Sequence, residues 1–225
     1  MGLNSYNLNI KRRNEEKIMP KQIPKHIGII PDGNRRWAIN NGLQKKDGYE
    51  YGLMPGLKLL RMAKSYGIQE ITYYGFTVDN CKRPSEQVKA FQKACVEAVN
   101  LLTSEGADLL VIGNSESKCF PAELKPYVNR TSINGGGIRV NFLVNYGWQW
   151  DLSHIKENGY PFSADISRVD LVIRWGGMRR LSGFLPIQSV YSDFYVVDHY
   201  WPEYSDQDFE YALEWYSQQD ITLGG

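Results

Sequence analysis

The chain has 225 residues, with 26 Lys plus Arg, 25 Asp plus Glu and a formal net charge of +1. A chain of this length buries enough surface to fold without disulfides or a structural metal, and its near-neutral charge argues against a strongly basic nucleic-acid binder. Its three cysteines are an odd number, and no two stand at the C-x-x-C spacing of a zinc or redox site. The sequence therefore predicts one ordinary domain with reduced thiols.

The first residues differ in pattern from the rest of the chain. Residues 1–24 are polar and unpatterned, which predicts a flexible leader followed by a single domain at 25–225. No run reaches the roughly 18–20 apolar residues of a membrane span, and the leader lacks the apolar stretch of a signal peptide. We therefore expect a cytoplasmic protein, whose basic leader makes at most peripheral contact with an anionic membrane.

After Pro24, short β-branched runs alternate with longer helical patterns, an order typical of a parallel α/β sheet. Strands are predicted at 26–30, 70–74, 109–112, 140–144, 171–173 and 194–197. Helices are predicted over 55–66, from Pro84 to just before Gly106, and after a capping box formed by Ser205 and Asp208. The predicted fold class is α/β, a single domain with a mostly parallel central sheet flanked by helices.

Charge is spread unevenly along the chain. Residues 11–25 carry six basic and two acidic side chains, whereas no Lys or Arg follows Arg180 and eight acids do. An acidic run of this kind is typical of a solvated helix face. Any anion site must therefore be built from residues that precede it.

Polar residues follow three of the predicted strands, in segments 31–37, 76–83 and 174–182. Open parallel sheets bind ligands at the carboxyl ends of their strands. Glycines in these segments allow close backbone approach, and arginines offer forked donors for phosphate oxygens. Each segment alone would indicate no more than a turn or the start of a helix. Together they predict an anion between the arginines, for which a pyrophosphate is the natural candidate.

Five blocks in these regions carry a resemblance to a known family. They are HIGIIPDGNRRWA at 26–38, YYGFTVDNCKRP at 73–84, NFLVNYGWQWDL at 141–152, VDLVIRWGGMRRLSGFLP at 169–186 and YWPEYSDQDFEYAL at 200–213. From His26 to Gly225 the chain resembles the cis-prenyltransferases, the undecaprenyl diphosphate synthase family. The resemblance implies an enzyme that joins an allylic prenyl diphosphate to a five-carbon diphosphate, using Mg2+, usually as a homodimer.

The resemblance also implies roles for individual residues. Asp32 matches the essential aspartate that coordinates Mg2+ and helps the allylic diphosphate to leave, and Asp193 stands where a carboxylate completes the Mg2+ site, often from the neighbouring subunit. Asn80 and Arg83 match a pair placed near the carbon that loses a proton. The implied substrate-binding residues are Gly33, Asn34, Arg35 and Arg36 around the allylic diphosphate, Trp37, Lys45, Tyr49 and Thr77 beside the substrates, and Arg174, Arg180 and Ser182 at the second diphosphate.

Several positions depart from the family pattern. Tyr49 replaces a histidine and Cys81 a tryptophan, only 18 residues separate Asp151 from Asp170, and the closing segment 221–225 lacks an expected arginine. The pattern PDG-x-RRW at 31–37, DGY at 47–49 and the S-x-F-x-P stretch at 182–186, in a compact chain, are similar to a small branch of the family that forms irregular, lavandulyl-type products. Tyr49, Cys81 and the short middle segment fit that branch. Regular head-to-tail condensation with isopentenyl diphosphate and irregular condensation with dimethylallyl diphosphate both remain open.

Two other interpretations accompany the leading one. In the first, the chain is a catalytic subunit that needs a partner chain to supply the missing arginine. In the second, it is a non-catalytic binder of prenyl diphosphates.

The length of the product depends on the space for its hydrocarbon chain. In the matching fold the hydrocarbon lies between the sheet and the helices at 55–66 and 84–104, where bulky Phe91 or Met62 would close its path. Ordinary core packing explains both side chains equally well.

Overall fold

The computed structural model describes residues 20–220, so the first 19 residues of the predicted leader and the closing segment 221–225 lie outside the described residues. The strands are β1 (His26–Ile30), β2 (Glu70–Thr77), β3 (Ala107–Ile112), β4 (Thr131–Ile133), β5 (Arg139–Tyr146), β6 (Leu171–Arg174) and β7 (Asp193–Val196). The α-helices are α1 (Asn34–Asn40), α2 (Gly48–Tyr51), α3 (Leu53–Ser65), α4 (Ser85–Thr103), α5 (Trp148–Ser153), α6 (Ile155–Asn158) and α7 (Asp206–Tyr216).

The strands form one sheet in the order β4-β3-β5-β2-β1-β6-β7. Every neighbouring pair is parallel except β3 and β4, so the predicted α/β class with a mostly parallel sheet is confirmed. The short antiparallel β4 was not predicted, because three half-exposed residues carry no apolar run. Strand β2 continues three residues beyond its predicted end, and its register to β5 shifts around Gly75. A side chain there would meet the Phe142 ring, which explains a glycine inside the strand.

The three predicted helices are confirmed as α3, α4 and α7. Helix α3 begins at Leu53, two residues before the predicted start, because Pro55 fits within a first turn whose N–H groups have no helical acceptor. Helix α7 opens with the predicted capping box, in which the Asp208 N–H donates to Ser205 Oγ. The acids Asp206 and Glu214 on this helix are exposed, as expected for a solvated face. No helix in the described part of the chain is long and apolar enough to cross a membrane.

Both faces of the sheet are buried. On one face Ile27, Ile29 and Ile71 pack with helices α3, α4 and α7. On the other, Leu143 and Val172 pack with Tyr74, Phe184 and Leu185. Near-continuous apolar strands are typical of a parallel sheet that is covered on both sides. The covering layers leave the carboxyl ends of β1, β2, β5 and β6 accessible at one edge.

The opposite, amino-terminal edge holds a closed polar network. Its members are His26, Glu70, Thr72, Asn141 and Ser167. The Asn141 amide donates to Glu70 Oε1 at 2.7 Å, the Ser167 hydroxyl donates to Glu70 Oε2 at 2.6 Å, and His26 Nε2 lies 2.8 Å from Thr72 Oγ1. Burial lowers the pKa of His26 below its ordinary value. Burial alone would raise the pKa of Glu70, but His26 and the hydrogen bonds from Ser167 and Asn141 outweigh it and lower that pKa.

Two of the three cysteines are neighbours in the fold, and the third lies apart from them. Cys95 is a free, buried thiol in α4. Cys81 and Cys119 lie side by side, with their Cα atoms 6.2 Å apart. The two residues are 38 positions apart in sequence, so their spacing gave no indication of the pair. The contact arises because Cys81 follows β2 and Cys119 follows β3, and both strands flank β5.

Candidate active site

A cavity of about 1050 Å³ opens at the carboxyl edge of the sheet, and we call it the polar cavity. Its lining includes twelve of the predicted site residues, namely Asp32, Gly33, Asn34, Arg35, Arg36, Lys45, Tyr49, Thr77, Asn80, Arg83, Arg174 and Ser182. Six cationic side chains line it against the two carboxylates Asp32 and Asp79, since Lys82 adds to the predicted five. The concentration of positive charge suits a polyanionic ligand.

Asp32 lies at the centre of the polar contacts in this cavity. Its carboxylate accepts a hydrogen bond from the Gly33 N–H at 2.6 Å and from Arg174 Nη2 at 2.7 Å. Arg36 Nη2 lies 3.4 Å from the same carboxylate. The Asp32 side chain remains 32% exposed, so one side of the carboxylate stays accessible from the cavity.

Arg174 links the two predicted diphosphate sites. Besides its pair with Asp32, its Nη1 donates to Ser182 Oγ at 3.0 Å and to the Arg180 carbonyl oxygen. Its side chain is only 5% exposed, so these contacts fix the guanidinium in place. The pair with Asp32 arises from the sheet, because Ile30 and Arg174 are register partners at the ends of β1 and β6.

Two glycines allow the loop after β1 and the loop after β6 to pack closely against their neighbours. Gly33 has φ +105°, and a side chain on it would lie 2.6 Å from the Tyr200 ring. Gly176 has φ +86°, and a side chain there would lie 2.6 Å from Arg36 Nη2. Left-handed backbone of this kind favours glycine, and the close approach removes any room for a Cβ atom. The loop after β1 and the loop after β6 are therefore packed directly against each other.

Tyr200 is a site residue that the sequence interpretation missed. The Arg36 guanidinium carbon lies 5.0 Å from the centre of the Tyr200 ring, a cation–π distance. The next residue, Trp201, donates its backbone N–H to the Asp32 carbonyl oxygen at 3.0 Å. The segment near the end of the chain therefore supports the Asp32 loop. The motif block at 200–213 contained both residues, but nothing in its sequence indicated which loop they contact.

The segment after β2 forms the other wall of the polar cavity. Asn80 and Thr77 form a capping box, in which Asn80 Oδ1 accepts from the Thr77 N–H at 3.0 Å. Arg83 Nη1 donates to the Tyr49 hydroxyl at 3.0 Å. Burial raises the pKa of Tyr49, so the phenol stays neutral at physiological pH. This wall also includes Tyr74, which the sequence interpretation did not single out and whose hydroxyl donates to the Ser182 carbonyl oxygen at 3.0 Å.

Three predicted site residues do not line the polar cavity. Trp37 packs against Tyr51 with the rings tilted by 46° and their centres 4.5 Å apart, and Arg180 is exposed with its carbonyl group turned to Arg174. Asp193 begins β7 and is in register with Leu171, at the amino-terminal edge of the sheet. Within one chain, Asp193 is therefore at the opposite edge from Asp32.

The donor set fits a magnesium ion only together with a bound phosphate. In the described residues no three His, Cys, Asp or Glu side chains converge on one point. Mg2+ is commonly held by one or two carboxylates, with waters and substrate phosphates as the other ligands. Asp32 supplies one accessible carboxylate in a cationic cavity, which fits that arrangement.

A family model described as putative undecaprenyl diphosphate synthase matches residues 30–160 and 155–224. The chain belongs to this prenyltransferase family. Ditrans,polycis-undecaprenyl-diphosphate synthase ((2E,6E)-farnesyl-diphosphate specific) from Yersinia pseudotuberculosis is 31% identical over 230 residues, covering 90% of each chain. An isoprenyl transferase from Heliobacterium mobile is 31% identical over 239 residues, covering 93% of this chain and 91% of the relative. Like these relatives, the protein is an enzyme that transfers prenyl groups.

A solved structure shows the same fold. Lavandulyl diphosphate synthase from Lavandula x intermedia, in complex with dimethylallyl diphosphate, superposes with a TM-score of 0.73. The match covers 90% of this chain and 99% of that one at 22% sequence identity. The cis-prenyltransferase fold expected from the sequence is thus confirmed.

Proposed function

We propose that the protein is a Mg2+-dependent prenyl diphosphate synthase. It condenses an allylic prenyl diphosphate with a five-carbon diphosphate, either isopentenyl or dimethylallyl diphosphate, and releases diphosphate in the cytoplasm. The observation that carries the proposal is the contact between Asp32 and Arg174, which brings two anion-binding loops together at one accessible carboxylate. The six cations of the polar cavity suit two diphosphate groups.

On the allylic side, the residues around Asp32 bind the diphosphate that leaves. The Arg36 guanidinium and the backbone of the Gly33 loop offer donors where negative charge develops as the allylic carbon–oxygen bond breaks. Such fixed donors stabilise the transition state because they need no reorganisation. Asp32 would hold the metal, and bound Mg2+ would neutralise charge on the departing diphosphate. Lys45 and Arg35, also in the lining, add positive charge on this side.

On the other side, Arg174 and Ser182 would orient the five-carbon diphosphate, and the Arg180 carbonyl oxygen would help to hold Arg174 in place. Arg174 contacts both Asp32 and Ser182, so it sets the distance between the two substrates. Proximity of this kind supplies much of the rate gain in a two-substrate reaction. Asn80 and Arg83 lie on the facing wall, where we place the carbon that loses a proton after the new bond forms.

Two regiochemical outcomes are compatible with this site. The curated undecaprenyl synthases support regular elongation, since their names specify a farnesyl diphosphate substrate. The structure with dimethylallyl diphosphate bound belongs to an enzyme named for an irregular product. Incubation of the purified protein with Mg2+ and dimethylallyl diphosphate, with and without isopentenyl diphosphate, tests the proposal. NMR of the products separates the outcomes, and the absence of any condensation product would overturn the assignment.

The proposed assembly is a homodimer. Several large apolar side chains between residues 148 and 191 are exposed, namely Trp148, Tyr160, Phe162, Val190 and Tyr191. Exposed aromatic side chains of this kind are enriched at subunit interfaces. A neighbouring subunit would also explain Asp193, which one chain keeps away from Asp32. Size-exclusion chromatography with light scattering tests this assembly.

The alternative assembly is a complex with a partner chain. The observation that favours it is the absence of any Lys or Arg after Arg180, where the family pattern has an arginine. Turnover by the purified homodimer would exclude this alternative. A requirement for an added partner would establish it.

A further inference from the structure

Three residues form a row across the carboxyl ends of neighbouring strands. The sheet order places β1 between β2 and β6. Tyr73 is in register with Ile29, which places Tyr74 next to Ile30. Ile30 is in turn the register partner of Arg174. Residues in one such row lie on the same face of a sheet, so the side chains of Tyr74 and Arg174 leave β2 and β6 on one side.

Both side chains bind the same residue, Ser182, in the loop after β6. Arg174 Nη1 donates to Ser182 Oγ at 3.0 Å, and the Tyr74 hydroxyl donates to the Ser182 carbonyl oxygen at 3.0 Å. Tyr74 therefore reaches over β1 to a loop that begins two strands away. Because Arg174 Nη2 also donates to Asp32 at 2.7 Å, one guanidinium connects Ser182 to the allylic side of the polar cavity.

Ser182 has an unfavourable backbone conformation. Its φ is +53°, in the left-handed region, where a Cβ atom crowds the following carbonyl oxygen. Gly183 follows with φ +79°, and a side chain on it would lie 2.7 Å from the Trp148 ring. A serine stays in such a conformation only where the surrounding contacts hold it there. The hydrogen bonds from Tyr74 and Arg174 are contacts of this kind.

The Tyr74 ring is itself held in place. It is buried and packs edge-on against Tyr146 and Phe184, with ring centres 6.1 Å and 5.5 Å away. Burial raises the pKa of Tyr74 above its ordinary value, so the hydroxyl keeps its proton and remains a donor at physiological pH. Because the ring cannot move without losing these contacts, its hydroxyl fixes the Ser182 carbonyl group in one position.

Resting on the proposed function, we propose that Tyr74 is a positioning residue for the second, five-carbon diphosphate. It holds Ser182 in the left-handed conformation, in which the serine hydroxyl meets Arg174 and both side chains line the polar cavity. Without the tyrosine hydroxyl the loop relaxes to a negative φ, and Ser182 Oγ moves away from Arg174. Tyr74 therefore sets the affinity for the five-carbon diphosphate, whereas the allylic diphosphate, which binds around Asp32 and Arg36, is largely unaffected.

Kinetics with each substrate varied in turn test the inference. Tyr74→Phe removes only the hydroxyl and keeps the packed ring. With dimethylallyl diphosphate as the allylic substrate, we expect the KM for isopentenyl diphosphate to rise about fivefold to tenfold. The KM for dimethylallyl diphosphate and kcat should each change less than about twofold, because only binding of the five-carbon diphosphate is weakened. Equal changes in both KM values, or no change in either, would overturn the inference.

Tyr73→Phe is the matched control. Tyr73 precedes Tyr74 in β2, and its hydroxyl donates to the Gly56 carbonyl oxygen at 2.9 Å on the opposite face of the sheet. Both substitutions remove one hydrogen bond from a phenol to a backbone carbonyl group, so both should lower the melting temperature by similar amounts. Only Tyr74→Phe should raise the KM for isopentenyl diphosphate. An equal rise in the two variants would assign the effect to lost stability and overturn the inference.

Binding of isopentenyl diphosphate gives a readout that does not depend on turnover. This compound has no allylic carbon–oxygen bond, so it stays intact during calorimetry with Mg2+. We expect Tyr74→Phe to weaken its binding about fivefold to tenfold in the wild-type chain but less than about twofold in Ser182→Ala, because Tyr74 acts through Ser182. An equal loss in both backgrounds would overturn the inference. No condensation by the wild type, together with no binding of isopentenyl diphosphate, would overturn the proposed function instead.

Discussion

At the amino-terminal edge of the sheet, His26, Glu70 and Asn141 are buried and connected by hydrogen bonds through Thr72 and Ser167, whereas at the carboxyl edge Asp32 and Arg174 border an open cavity of about 1050 Å³. Both edges contain a carboxylate held by several donors. At the closed edge every donor comes from the protein, so the network stabilises the fold. At the open edge the Asp32 carboxylate stays partly exposed and cations outnumber carboxylates, so the excess positive charge can bind an anionic ligand.

The difference predicts that substitutions at the two edges act on different properties. Changes at the open edge should reduce turnover with little effect on the free energy of unfolding. Changes at the closed edge should reduce the free energy of unfolding with little effect on turnover below the melting temperature. The four predictions below run from the largest expected effect to the smallest.

Asp32→Asn should give the largest effect. The substitution removes the negative charge that would hold Mg2+ and leaves Arg174 without its ionic partner, so we expect kcat to fall about 10³-fold. The control is Asp198→Asn, because Asp198 is an exposed aspartate whose Oδ1 lies 3.9 Å from Arg179 Nη2. Steady-state kinetics and melting curves measure both variants. Undiminished turnover by Asp32→Asn would contradict the proposed function.

Arg174→Lys should reduce kcat/KM about 10²-fold, because a lysine cannot bridge Asp32 and Ser182 as the forked guanidinium does. The neighbouring Arg179 is exposed and lies outside the polar cavity, so Arg179→Lys is the matched control. Kinetics with each substrate varied in turn measure the effect. A loss equal to that of the control would show that Arg174 does not link the two sites.

Glu70→Gln should leave the reaction largely intact and reduce the free energy of unfolding by about 1–3 kcal/mol, because the buried carboxylate accepts hydrogen bonds from Asn141 and Ser167. Lowering the pH should also reduce the free energy of unfolding of the wild type. The pKa of His26 lies below 6.5 in the fold, so protonation favours the unfolded chain as the pH falls through 6.5. The pKa of Glu70 lies below 4.5, so its contribution is present above 4.5 and is lost as the pH falls further.

Urea unfolding followed by circular dichroism at several pH values measures these effects. We expect stability to decrease from pH 8 towards pH 4, with a weaker decrease at the acid end for Glu70→Gln. The exposed Glu214 provides the control Glu214→Gln. An equal free energy of unfolding at pH 8 and pH 5 would contradict the lowered pKa of His26.

Tyr200→Leu should give the smallest effect. It removes the ring that packs on Arg36, and we expect kcat/KM to fall about threefold to tenfold. Tyr200→Phe retains the ring and should retain most of the activity. Tyr211 is an exposed tyrosine on α7, and its replacement by leucine provides the control. An equal loss in the Leu and Phe variants would assign the effect to the hydroxyl group.

Local patterns predicted most of the sheet because its strands are apolar runs separated by helices. The polar segments after β1, β2 and β6 could be placed at one edge, since parallel strands end on the same side. The pair of Asp32 with Arg174 could not be predicted, because it depends on the register of strands 142 residues apart in sequence. The same holds for Tyr200, whose contact with Arg36 depends on how the chain end packs. Strand β4 is too short to show a pattern.

The backbone hydrogen bond from Trp201 to Asp32 has a consequence for how the enzyme is made. The loop that carries Asp32 is translated early, but the residues that complete it, from Arg174 to Trp201, come close to the end of the chain. At 5–20 residues per second, the ribosome takes roughly 10–30 s to make the intervening segment. Contacts of such long sequence separation form late in folding. A nascent or truncated chain that ends before Arg174 therefore has the Asp32 loop but not the site.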